Sequence, residues 1–118
     1  MSLDRLFLLI AAILGGTAVA GGAFASHALR EQLSERMLAV FETGVRYQMY
    51  HALALLAVSL ILQRAAAASA WLMVAGWAFV AGTAVFSGSL YALGLSQIKI
   101  LGAITPLGGV ALMLGWVC

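Results

Sequence analysis

Four stretches of the chain carry no Asp, Glu, Lys or Arg: Leu6 to Ala25, Tyr47 to Gln63, Ala65 to Ile98 and Ile100 to Cys118. A helix that crosses a bilayer needs about 20 apolar residues, with a range of about 17 to 25. The first, second and fourth stretches fit one span each. The third is too long for one and too short for two, so it predicts a single helix near Ala70 to Gly94 with uncharged flanks. None alternates with the period of two that a membrane β-strand requires. The pattern predicts an all-α membrane protein: four transmembrane helices in one antiparallel bundle, a single domain over residues 1–118.

The connections refine this layout. Residues 1–26 begin like a secretory signal, with Arg5 ahead of an apolar core and Ala23-Phe24-Ala25 as a small-x-small site. The apolar stretch continues to full spanning length, so it reads as the first helix. His27 to Thr43 is strongly polar, yet Leu29, Leu33, Met37, Leu38 and Phe41 recur at spacings of three and four. That spacing predicts an amphipathic interfacial segment between the first two helices. The second helix takes in Arg46 to Gln63 and starts as early as Glu35 if Ser34 caps it. A polar turn over Gln63 to Ser69 closes it. Trp71 and Trp77 near one end of the third helix, and Tyr91 near the other, occupy positions that suit interfacial aromatics. In the fourth helix Pro106 should cause a kink.

Composition agrees with the pattern. The chain of 118 residues is 64% hydrophobic and 8% charged, where a soluble domain carries about a quarter of its residues as charges. Net charge is +2, too small to imply a nucleic-acid partner. Cys118 is the sole cysteine, so no internal disulfide can form. Arg30, Arg36, Arg46 and Lys99 fall on one side of the bundle, Arg5 and Arg64 on the other. The positive-inside rule then places both termini on the non-cytoplasmic side of a bacterial inner (plasma) membrane.

Small residues recur at four-residue spacing: Ala12/Gly16, Ala18/Gly22 and Gly22/Ser26 in the first helix, Ala78/Gly82, Ala84/Gly88 and Gly88/Ala92 in the third. Such pairs let helix backbones approach closely. In the first helix, packing within the bundle is the expected use and a dimer face the alternative.

Candidate chemistry concentrates at the entrance of the second helix. Counting about 100° per residue from Glu42, the side chains of Glu42, Arg46, Tyr50, Thr43, Tyr47 and His51 fall between about 0° and 180°, with Gln48 outside at about 240°. Polar groups at membrane depth are costly unless they meet protein or water, so this face should point inward. Glu42 and Arg46 stand in the favourable order for an ion pair. A polar site would comprise Glu42, Arg46, Tyr47, His51, Ser87 and Tyr91, with His27, Ser89 and Thr105 as additional members. His27 and His51 approach the same membrane face, an arrangement that bis-histidine haem ligation would need. No Cys-x-x-Cys-His accompanies them, so hydrogen-bonded bundle histidines are the expectation, with no cofactor and no metal. The His-Glu-x-x-His, Gly-x-Ser-x-Gly and phosphate-loop patterns are absent, and no second carboxylate joins Glu42 for acid–base work.

Several motifs carry a resemblance. Gly22-Ala23-Phe24-Ala25-Ser26-His27-Ala28-Leu29 resembles a Gly-Ala-Phe-Gly-Ala-His-Ala/Gly-Leu motif, from which it departs at Ala25 and Ser26. Phe41 to Leu53, Phe86 to Tyr91, Leu101 to Gly109 and Gly115-Trp116 are similar to later signatures of the same family. This is the domain-of-unknown-function 423 family of small bacterial inner-membrane proteins, which has mitochondrial relatives. The resemblance implies a four-helix membrane protein and no particular reaction. The function expected is that of a non-catalytic accessory or scaffold subunit, partnered by another membrane protein or by its own copies within the lipid bilayer. The alternative is a binding or permeation site for a small polar molecule or lipid headgroup in the bundle interior.

Overall fold

The computed structural model describes residues 1–65 and 69–118. Almost all of them are helical: α1 (Leu3–Phe24), a π-helical turn (Ala25–Leu29), α2 (Glu35–Arg64), α3 (Ala70–Ser96), a 3-10 turn (Lys99–Ala103) and α4 (Thr105–Val117). The segments Leu3–Leu29, Glu35–Arg64, Ala70–Ser96 and Lys99–Val117 are each long and apolar enough to cross a membrane. The turn expected over Gln63 to Ser69 lies partly outside the described residues. Successive helices pack side by side, α1 on α2, α2 on α3 and α3 on α4, in a body of 51 × 27 × 19 Å.

Local signals set the boundaries. Ser34 accepts a hydrogen bond from the Met37 N–H at 3.2 Å, satisfying one of the free donors of the first turn. Helix α2 therefore begins at Glu35, and the polar stretch 27–43 is shared between the π turn, a short connection and the first turns of α2. Ser69 caps α3 through the Leu72 N–H. At the other end of α3, Gln97 adopts φ 62° and its N–H closes onto Leu93 O at 2.8 Å.

Pro106 does not kink a helix. It stands in the first turn of α4, where an N–H has no intrahelical acceptor and a ring-fixed φ suits the helix start. The departure from α-helical geometry lies ahead of it, in the 3-10 turn.

Two apolar cores hold the helices. Phe7, Ala11, Ala54, Leu55, Val58, Ala75, Phe79 and Leu112 form the larger, and Ala25, Leu29 and Phe41 the smaller. Glycines set the distance between helices. A Cβ at Gly76 would collide with the Phe7 ring, one at Gly108 with the Phe86 backbone, and one at Gly82 would lie 2.8 Å from Leu112. The small pairs of α1 divide. Ala18 is buried and Gly22 rests on Val45, whereas Ala12 and Gly16 face outward.

Candidate functional site

The polar side chain that joins most elements is Gln48. Its Nε2 donates to Leu14 O and to Thr17 Oγ1, both at 2.8 Å, and its Oε1 accepts from the Tyr91 hydroxyl at 2.5 Å. Thr17 passes its own proton to Ile13 O at 2.7 Å. One amide thus ties α1, α2 and α3 with both N–H groups and its oxygen used, which also fixes its orientation. Further ties are serine hydroxyls donating to backbone carbonyls of the neighbouring helix: Ser59 to Asp4 O and Ser87 to Gly44 O, each at 2.7 Å.

His51 organises a second group. Trp116 Nε1–H donates to His51 Nε2 at 3.1 Å, and indole nitrogen can only donate, so Nε2 must carry the lone pair. Nδ1 then bears the proton and donates to Tyr47 O at 2.7 Å. The ring is held as a single neutral tautomer, flanked by Phe79 at 5.5 Å and Trp116 at 6.0 Å between centroids. Beside it a groove of about 480 Å³ opens between α2 and α4, lined by Tyr47, Tyr50, Phe86, Met113 and Trp116 among others. Its walls are aromatic and aliphatic.

The residues expected to share one site are distributed over three environments. Ser87 and Tyr91 lie inside, with Tyr91 packed on Phe41 at 4.9 Å. Tyr91 is accordingly no interfacial anchor, because its phenol finds Gln48 within the bundle. Tyr47 and His51 border the lateral groove. Glu42 and Arg46 lie at the entrance, and the expected ion pair is not formed: Arg46 donates to Thr43 Oγ1 at 3.5 Å, and no carboxylate partners it among the described residues. An exposed pair of that kind contributes only about 0.3–0.5 kcal/mol, too little to hold two mobile side chains against such a competitor. Ser89 and Thr105 pair at 2.6 Å. Ser89 donates to Phe86 O, so Thr105 supplies the proton between them, joining α3 to the start of α4. His27 is exposed on the π turn, away from the groove that His51 borders, and ligation by His51 Nε2 would displace Trp116.

The inward face of α2 also differs from the one expected. Counted from Glu42 at about 100° per residue, the buried residues Phe41, Gly44, Gln48, His51, Ala52, Ala54, Leu55, Val58 and Ser59 span about 120° to 280°. His51 stands at the edge of the expected arc and inside the buried one. Gln48, set apart by the wheel as the exception, lies well inside the buried one. The apolar residues of the same arc were the available signal: Phe41, Ala52 and Leu55 share Gln48's side. Nothing in the sequence marked Trp116 as the partner of His51.

Comparisons with known proteins agree with this architecture. Residues 21–109 match the family model described as "Protein of unknown function (DUF423)". The chain belongs to this family. It is 44% identical to the UPF0382 membrane protein YwdK of Bacillus subtilis (strain 168), across 96% of this chain and 91% of that one. Identity to a UPF0382 membrane protein of Staphylococcus epidermidis is 42%, covering 95% and 89% of the two chains. That to SAB0533 of Staphylococcus aureus is 45%, covering 96% and 90%. No solved structure matches. The DUF423 chain is thus an integral membrane protein of four helices, and its relatives' names assign no reaction.

Proposed function

We propose that this membrane protein is a non-catalytic accessory or scaffold subunit that works through contacts between helices. The observation that carries this reading is a pair of small-residue seams left open on the outside. Ala12, Gly16 and Ala20 on α1, and Ala84, Gly88 and Ala92 on α3, are exposed. A Cβ added at Gly16 or Gly88 would meet nothing within 4 Å. Elsewhere in the bundle the same residue types serve helix contacts, so the open seams are suited to a neighbouring membrane protein or a second copy. A polar ligand inside the bundle has less support, since Ser87 and Tyr91 already hydrogen-bond to α2 and the groove beside His51 is apolar.

The test follows from the empty space. Gly16→Leu and Gly88→Leu leave the bundle intact and block the seams. Native mass spectrometry from mild detergent should find the wild type with a stoichiometric partner or as a defined homo-oligomer, and at least one variant as a folded monomer. A wild-type protein that is monomeric throughout would overturn the proposal. The site in the cell is, on this reading, the bacterial inner membrane with both termini outside the cytoplasm, as Arg30, Arg36, Arg46 and Lys99 favour. In a Cys118→Ala background, Gln97→Cys should then resist an impermeant maleimide in intact cells; ready labelling from outside reverses the orientation.

A further inference from the structure

Three spanning segments begin or end around one cleft: α2 starts at Glu35, α3 stops at Ser96 and the last span starts at Lys99. Gly94 brings the first two together. A Cβ there would lie 3.3 Å from Met37 O and 3.4 Å from Phe41 Cβ, so α3 runs tight against α2 just before it ends. The left-handed Gln97 then turns the chain, and Lys99 joins Arg36 in the lining of one cleft.

The resulting cleft holds about 450 Å³. Exposed Arg36, Gln97 and Lys99 line it together with half-buried Met37, Val40 and Leu93. No carboxylate is among its lining residues, and Glu35, next to Arg36 in the chain, is not part of the wall. No acid neutralises either cation among the described residues. Two cations and an amide converge above an apolar floor at the edge of the membrane-spanning region. This differs from the scattered interfacial Lys and Arg that reach for water along one helix, because the charges come from separate elements and share a concavity.

We propose that this cleft binds the phosphate headgroup of an anionic membrane phospholipid. Arg36 and Lys99 take the phosphate, the former with planar paired donors and the latter as a point charge. Met37, Val40 and Leu93 lie against the glycerol and the first methylenes. The apolar floor favours a lipid over free phosphate, which has no surface to place there. The site is independent of the assembly reading, since neither Gly16 nor Gly88 lines it.

The experiment compares lipid retention by native mass spectrometry after reconstitution in mixed phosphatidylglycerol and phosphatidylcholine nanodiscs. Wild type should retain phosphatidylglycerol preferentially. The Arg36→Gln/Lys99→Gln double variant should lose roughly 30-fold of that preference, as expected for two surface cations at about 1 kcal/mol each. An Arg5→Gln/Arg64→Gln variant, which removes the same charge at the opposite end, should keep it. Inorganic phosphate added in excess should not displace the lipid. Equal loss in both double variants would reduce the effect to net charge and overturn the site. Retention unchanged in Arg36→Gln/Lys99→Gln, or displacement by inorganic phosphate, would overturn it as well. Circular dichroism on each variant confirms the helical fold against which these outcomes are read.

Discussion

Gly82 and Gly88 lie on the same helix, each in a small-residue pair at four-residue spacing, yet their surroundings are opposite. At Gly82 an added methyl would press on Leu112, its side chain and its backbone; at Gly88 it would meet open space. The same contrast separates Gly76, filled by Phe7, from Gly16, which nothing approaches. A glycine inside the bundle sets how close two helices come. A glycine on the outside has no such task within the chain, and its small size is available to a neighbour. Sequence spacing alone treats the two alike, because the motif describes one helix surface and says nothing of what lies across from it.

The contrast can be broken most forcefully at the inner seam. Gly108→Leu drives a side chain into the Phe86 backbone, and backbone cannot swing aside as a side chain can. Overpacking of this kind costs about 1–3 kcal/mol and occasionally more, and the upper end is expected here. Reversible unfolding in mixed detergent micelles, or failure of the variant to accumulate, measures it. A variant of wild-type stability would mean that α3 and α4 separate easily.

Gln48→Leu should come next. It removes three interhelical hydrogen bonds and leaves the Tyr91 hydroxyl without its partner. Interhelical bonds in membranes average about 0.6 kcal/mol each, with a maximum near 1.7, so a loss of about 1–2 kcal/mol is expected in the same assay. Tyr91→Phe removes one of the three and should lose less. Equal losses would place the energy in the Tyr91 contact rather than in the amide that joins the helices.

The smallest effect belongs to the outer seam. Gly88→Leu should change the monomer's unfolding free energy by no more than about 0.5 kcal/mol, as for other substitutions without contacts. A loss comparable to that of Gly108→Leu would erase the distinction between the two seams.

Residue types and spacing made much of the architecture legible. Uncharged runs located the four spans because charge in hydrocarbon is costly wherever the helix sits in the bundle. Ser34 announced the start of α2 through local capping chemistry. His51 was expected inward and is buried. Other expectations failed where the outcome depended on a second element. The Glu42–Arg46 pair follows from spacing on one helix, but its net energy is small enough for Thr43 to compete. Pro106 breaks a helix only if the helix already surrounds it, and the 3-10 turn placed it at a start instead. Tyr91 has the residue type of an interfacial anchor until Gln48 is set beside it.

The sequence by itself determined the membrane class, the number of helices, most of their ends and the family, since each depends on hydropathy, local capping or motif order along a single chain. Tertiary structure decided which arc of α2 is buried, which glycines lie between helices, how His51 is protonated and which cations share a cleft. These are all relations between distant residues. A hydrogen bond such as Trp116 to His51 needs an alignment of about 3 Å between two helices, and helical periodicity carries no information about the rotation of one helix against another.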